Sequence, residues 1–383
     1  MTASIASPRV RFPRDSGFHA ALKDGAASHF DQRAVARWGN RAMHAKTAII
    51  LTWFAASYGL LLAWGGTSEW LAAGLTVSLA LATAGVGFSI MHDANHGAYA
   101  RSPRVNHAWA LALDFIGASS YLWRRKHNVQ HHTFANVDGL DTDIDAGPFL
   151  RLAPSQPFRS FHRFQHVYAW PLYGMLLIKW WFVDDFRNLL GGRIGNVPFP
   201  RPRGRVLATL VAGKVMFLGW SIVLPALVFR SAWVAAYFVF GAMVLGIVLS
   251  IVFQLAHVLP ESQFHEAGTV ARHLPTGWAE HQVLATADFA PRNRLLGWYL
   301  GGLNFQIEHH LFPDVCHVHY PALSRMVEAT CRAYGVPYRA FPSLRSAVAA
   351  HHQLLRSLGR RGAGSESPVA GRSGAEGLDP SHR

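Results

Sequence analysis

Cysteine is almost missing from this chain: Cys316 and Cys331 are the only two in 383 residues. Two thiols cannot build a disulfide framework or a thiolate metal cluster, so both are expected to be free. Charge is scarce as well. Charged residues make up 15% and hydrophobic residues 50%, which is too apolar for an ordinary soluble enzyme. Acidic residues number 22 against 36 basic ones, a formal charge of +14. The basic residues are scattered and no nucleic-acid-binding motif accompanies them, so nucleic acid is not expected as a partner. The first 46 residues are too polar and basic to hold a signal-peptide core.

What the chain has instead is long apolar runs. Residues 47–64 and 70–90 carry no Lys, Arg or Asp, and a second pair covers about 206–229 and 233–256. Each is about long enough to cross a bilayer. The predicted fold class is an all-α integral membrane protein, with four transmembrane helices in two hairpins. Lys214, inside the third run, is expected to snorkel toward headgroups. Most basic residues lie before Thr47, between His92 and Arg205, or after His257. By the positive-inside rule these regions face the cytoplasm, and the net charge reads as an orientation signal and a contact with anionic membrane lipid. In a bacterium the chain would sit in the inner membrane.

The expected organisation is an N-terminal cytoplasmic arm (1–46), a membrane domain (47–340), a C-terminal helix (341–358) and a disordered Gly-, Ser- and Pro-rich tail (359–383). Residues 31–46 are expected to form an interfacial helix, as are 106–123. Residues 148–202 are read as further interfacial helices rather than a fifth span.

Histidine carries the chemistry. Residues 126–136 read KHNVQHHTFAN, with no Pro or Gly to break a helix. At α-helical pitch His127 and His131 share a face, and His132 lies about 100° round the axis, able to reach a second atom. HDANH supplies His92 and His96, QIEHH supplies His309 and His310, and His257 ends the last apolar run. All eight fall just outside a span on one predicted side, forming a histidine-rich site in a cytoplasmic helical cap. Nitrogen donors without thiolate suit iron, zinc, copper or nickel. Eight imidazoles exceed what one tetrahedral zinc takes, so two metals with open positions are expected. Asp93, Asn95, Asn128, Asn136 and Glu308 are near enough to orient the imidazoles.

Other polar features weigh less. His162 and His166 read as an interfacial helix face, and His351 and His352 as solvated. His281, His317 and His319 are candidates for outer-shell, headgroup or proton-handling roles. The run DGLDTDID (138–145) imitates a calcium loop, but Ala146 and Leu152 occupy the positions that need Gly and Glu. Its aspartates are expected to back the histidines and pair with basic residues. Tyr121, Trp123, Phe115 and Phe305 lie beside the clusters, where they could line a channel or simply pack.

HDANHG, KHNVQHHTFAN and GGLNFQIEHHLFP together resemble, in order and spacing, the three histidine boxes of membrane fatty-acid desaturases. Gln306, opening the third box, is similar to the front-end branch, whose members act on acyl-lipids or acyl-CoA. The resemblance covers about residues 45–340. It implies a non-haem site of two iron ions, with His92, His96, His127, His131, His132, His257, His309 and His310 as ligands. Gln306 would touch the metal or hydrogen-bond a water on it. It further implies O2 as oxidant and a cis double bond inserted into a fatty acyl-CoA or acyl-lipid. The His-Pro-Gly-Gly motif of a fused cytochrome domain does not occur, so the electron-donor protein would be ferredoxin or a separate cytochrome. Membrane hydroxylases, ketolases and sphingolipid desaturases carry similar boxes. A metal transporter is the remote alternative, disfavoured because its ionisable residues should lie within the spans.

Overall fold

Among the described residues, four helices are long and apolar enough to cross a membrane: Arg41–Thr67, Glu69–His96, Gly204–Phe229 and Trp233–His257. They occur in a computed structural model that describes residues 10–267 and 273–361. The second and fourth run past their apolar stretches, so that His92, His96 and His257 ride on the ends of rigid rods. At the opposite end the connections are short: Ser68 alone, and residues 230–232. Trp64, Trp70 and Trp233 are exposed there, as suits amphipathic rings at a membrane boundary.

Small and hydroxylated residues let the helices meet, the usual solution where lipid removes the hydrophobic drive between them. Trp53 Nε1 donates to Ser78 Oγ at 2.9 Å, and the Ser57 and Ser78 hydroxyls are 2.7 Å apart. These bonds tie the first helix to the second. A Cβ on Gly241 of the fourth helix would lie 3.0 Å from Thr76 of the second.

The interfacial helix expected over 31–46 does not form. A helix over Phe18–Arg33 stops at Ala34, whose φ is 49°. The first span then starts afresh at Arg41, where the Asn40 side chain accepts the Met43 N–H at 3.1 Å. An Asn cap satisfies a free helix-end donor and fixes the start. Phe18, Leu22 and Ala26, four apart on the earlier helix, join a core with Leu323, Val327 and Cys331 of Tyr320–Tyr334. The N-terminal segment is thus part of the folded unit. Both cysteines are free and buried.

Residues between and after the span pairs cover the histidine end with short helices and turns. The fold is not purely helical there. Three two-residue strand pairs clip loops together: Val137–Asp138 with His265–Glu266, Arg193–Ile194 with Val197–Pro198, and Asp288–Phe289 with Ala340–Phe341. Residues 106–123 form no single helix either. Pro103–Ala110 and Ala112–Phe115 are parted from Ser120–Trp123 by a break at Gly117, whose φ of 103° few other residues adopt. The C-terminal helix spans Leu344–Leu358. His351 on it is fully buried rather than solvated: Tyr173 Oη lies 2.7 Å from its Nε2, and its Nδ1 lies 2.7 Å from the Val258 carbonyl oxygen. The tail expected to be disordered falls, from residue 362 on, outside the described residues.

Candidate metal centre

Two π-helical segments adjoin the histidines: Val86–Met91 leads into the first box, and Arg124–His131 contains most of the second. Such insertions are rare and cluster at functional sites. The second one changes the expected geometry. With the wider π turn, His127 comes over His132, and their Nε2 atoms are 3.2 Å apart. His131 stays stacked on His127 with centroids 5.1 Å apart, but its Nε2 meets His257 Nε2, also at 3.2 Å. The reading from α pitch put His127 and His131 against one metal atom; the two rings do group with Asp143, but their Nε2 atoms face His132 and His257 respectively.

The third box is brought in by backbone rather than by helix pitch. Gly301 and Gly302 take φ of 61° and 69°, and a Cβ on Gly301 would lie 2.2 Å from the Phe88 carbonyl oxygen. Only glycine allows this turn to press against the second span, and the short helix Gln306–Leu311 follows directly.

The eight imidazoles gather into one patch with two foci. His92, His96, His127 and His309 offer nitrogens all within 4.8 Å of one another, and so do His131, His257 and His310. His132 joins the foci, within the same reach of His309 and His310. All are buried except His96, which is partly exposed. Gln306 places its amide nitrogen 3.1 Å from His257 Nε2, while its Oε1 is buried without a partner.

Several rings are held from behind so that one nitrogen is left over. His131 Nδ1 lies 3.0 Å from Asp141 Oδ2, His310 Nδ1 lies 2.8 Å from Gln282 Oε1, and His309 Nδ1 lies 3.2 Å from Tyr320 Oη. A carboxylate or amide oxygen accepts from Nδ1–H, which fixes the tautomer and leaves the Nε2 lone pair aimed inward. Nε2 of His96, His309 and His310 and both nitrogens of His92 are buried without hydrogen-bond partners. Orphaned polar atoms are costly in a folded interior, and here they converge. Burial pushes His127 down to about 3 and holds His132, His309 and His310 well below the usual range, with neighbouring imidazoles adding to it. These rings are therefore neutral near pH 7, the form in which an imidazole can bind metal. Burial alone would also lower His131, but the Asp141 and Asp143 carboxylates more than reverse that, and it rises. The donor set fits two metal ions.

The outer residues divide unevenly. Asp93 accepts from His317 Nδ1 at 2.8 Å and lies 3.8 Å from His92 Nδ1. Asn136 donates to the His257 and Ala285 carbonyls, holding the backbone that carries His257 rather than a ring. Asn95 donates to Met91 O and Asn128 to Asn95 O, so neither side chain donates to an imidazole, because each is turned onto the helix end. Glu308 points away toward Asp288 and Tyr338, whose hydroxyl donates to both carboxylates. Burial raises Glu308 well above the usual range, with Asp288 adding to it, and raises Asp288 to about 6. His281 contacts the Ala135 carbonyl at 2.9 Å, and His319 contacts that of Trp38 at 3.3 Å. Both brace loops. His317 bridges Asp93 and Lys46, whose Nζ is 2.8 Å from its Nε2. His162 is buried between Arg159 N and Pro148 O. Within the acidic run, Asp143 pairs with Lys126 at 2.7 Å and Asp141 backs His131, as its sequence suggested. Gln282 and Lys46 had no local signal, since they lie 28 and 271 positions from His310 and His317, whereas Tyr320 follows His309 by eleven.

Of the four aromatics, Trp123 stacks on His127 with centroids 4.3 Å apart. Phe305 packs in the core beside the N-terminal helix, Phe115 stacks on Trp220, and Tyr121 donates to Pro200 O. A narrow cavity of about 30 Å³ touches His92, Met91, Trp123 and Leu303. It shares Thr83, Ile116, Trp181 and Leu245 with an apolar chamber of about 330 Å³ between the four spans.

Comparison with known proteins agrees. The fatty acid desaturase family model matches residues 68–342. The chain is 33% identical over 357 residues to the sn-1 linoleoyl-lipid 6-desaturase of Synechocystis, covering 93% of this chain and 99% of the relative. It is 34% identical over 354 residues to the enzyme of that name from Arthrospira platensis, covering 91% and 95%. An acyl-lipid (8-3)-desaturase of Physcomitrium patens is 37% identical over 348 residues, covering 89% and 72%. With all eight clustered histidines inside the matched segment, the chain belongs to the fatty acid desaturase family and is an enzyme that desaturates fatty acids.

Proposed function

We propose that this enzyme is an oxygen-dependent acyl-lipid desaturase that places a cis double bond in the acyl chain of a membrane lipid. The observation that carries this reading is the meeting of two groups of inward-facing imidazole nitrogens with an apolar passage between the spans. The lipid-borne substrate is favoured over acyl-CoA by the names of the relatives above. The helices would form two hairpins with the histidine end toward the cytoplasm, where the basic residues lie.

His92, His96, His127 and His309 would hold one iron and His131, His257 and His310 the other, with His132 between them. Gln306 would lie beside His257, within reach of a water. When bound, the irons supply the reduction of dioxygen that lets hydrogen be taken from an unactivated methylene. The chain's own residues do the rest. Trp123, Met91 and Leu303 wall the narrow cavity beside His92, exclude water and hold one carbon pair near the centre. The chamber beyond takes the remainder of the acyl chain. Asp141, Gln282 and Tyr320 keep three imidazoles in the tautomer that binds metal. Electrons would come from a separate acidic protein, ferredoxin or a free cytochrome, docking by charge on residues such as Arg101, Arg104 and Arg193, all exposed.

The test is expression in a host rich in oleate and linoleate, with fatty acids analysed by gas chromatography–mass spectrometry and double-bond location. A new unsaturated acid that disappears in His131→Ala is expected, with about two irons per purified chain. A hydroxylated product would overturn the reaction type. Zinc in place of iron would overturn the redox reading.

A further inference from the structure

Thr83, Ile116, Trp181 and Leu245 line both the small cavity beside His92 and the chamber between the spans, and so form the wall between the two. Two of these four residues are set by one ammonium group. Lys214 Nζ donates to Gly117 O at 2.7 Å, next to Ile116, and to Trp181 O at 3.0 Å. It also pairs with Asp185 Oδ2 at 2.7 Å, whose other oxygen accepts from Trp180 Nε1 at 3.1 Å. An ammonium has three donors, and all three are used inside the protein. This is why Lys214 does not snorkel to headgroups.

Packing closes around the same knot. A Cβ on Gly117 would lie 2.8 Å from Trp181 Nε1 and 2.9 Å from Phe217 Cδ1. The Phe217 ring, three residues after Lys214, sits 4.6 Å from that of Trp181. A Cβ on Gly213 would lie 2.7 Å from Asp114 Cβ. Three separate elements are therefore pinned at one point: the third span, the break at Gly117 and the π turn Trp180–Asp184. Ionisable residues at this depth are costly and mark function more often than packing.

We propose that Lys214 is a positioning residue that fixes the spacing of this wall, and through it the carbon pair and acyl-chain length the enzyme selects. The knot touches no metal ligand. It acts by holding Ile116 and Trp181 at a set separation, so that a tail of given length and bend stops at a given depth. This rests on the reading of the passage as the path of the acyl chain.

The experiment uses the full-length enzyme in a host offering acyl chains of several lengths and degrees of unsaturation. Product ratios are read by mass spectrometry with double-bond location, and iron content serves as the folding control. Lys214→Met keeps the length and removes the donors. Ile116→Ala widens the wall directly, and Leu245→Phe narrows it. Lys214→Met is expected to shift the ratio of products by about 10-fold, the low end of what a methylene's worth of pocket selects. The shift should run in the direction of Ile116→Ala and opposite to Leu245→Phe. If the methionine variant does not accumulate, Lys214→Arg keeps the ion pair while misplacing the two carbonyl contacts, and the same shift is expected. Wall variants that move the ratio while both Lys214 variants only lower the yield would overturn the role of the knot and leave the passage standing. Wall variants without effect on the ratio would overturn the acyl passage, and the inference with it.

Discussion

The two histidine groups are backed by different materials. Behind His131 and His310 stand Asp141 and Gln282, polar acceptors at 3.0 and 2.8 Å. Behind His92, His96 and His127 stands the indole of Trp123, with centroids at 5.7, 5.5 and 4.3 Å, and both His92 nitrogens lack a hydrogen-bond partner. A ring fixed by a carboxylate keeps its tautomer and gains basicity as a ligand. The rings packed against the indole are placed mainly by shape, with the Asp93 and Asp143 carboxylates standing off at 3.8 and 3.9 Å from His92 and His127. The apolar-backed group is also the one that borders the passage, through His92 and Trp123. One focus is thus built for firm anchoring. The other, on the proposed function, trades polar support for a dry wall against the acyl chain.

Loss of a ligand should erase this contrast, and it is the largest effect expected: His131→Ala and His96→Ala each remove all product, with iron falling below two per chain. Removing the support alone should separate the groups. Asp141→Asn is expected to cost about 10- to 100-fold in activity through weakened metal binding, read as iron lost to a chelator. Trp123→Leu should keep its iron and lose turnover by up to about 10-fold, because the carbon pair is held less closely. If Trp123→Leu loses metal as readily as Asp141→Asn, the distinction between the two groups is wrong. Gln282→Leu should fall below Asp141→Asn, since a neutral acceptor is replaced rather than a charged one.

The smallest effect concerns His351, which ties the C-terminal helix to Val258, next to His257. Burial lowers its pKa to about 4 from 6.5, so the unfolded chain takes up the proton first as pH falls. Its stabilising contribution is whole above about pH 6.5 and is lost as pH drops toward 4, by at most about 3 kcal/mol. Limited proteolysis of the Leu344–Leu358 helix should therefore accelerate between pH 7 and 5 in the wild type. In His351→Gln, which does not titrate, that acceleration should vanish.

Much of this was legible in the residues. The four apolar runs announce the long helices, since a span of that length needs only local composition to be recognised. The histidine spacings announce a metal-binding patch. The acidic run between the second box and Arg151 announces support for it. Local pattern fell short where a single turn departs from ideal pitch: in the π segment over Arg124–His131, His127 Nε2 faces His132 as well as sharing a face with His131. It also misled where a polar residue had a nearer partner than solvent, as with Lys214 and His351.

The sequence by itself determined which segments are apolar enough to leave water and which residues could ligate a metal, because both depend on side-chain chemistry and short spacings. Only the tertiary structure decided how the eight histidines divide, which of them are backed by Asp141, Gln282, Tyr320 or Trp123, and how wide the passage is beside them. The division rests on contacts such as His131 with His257 and Gln282 with His310, 126 and 28 positions apart, which form when the helices pack and are carried by no periodicity in the chain.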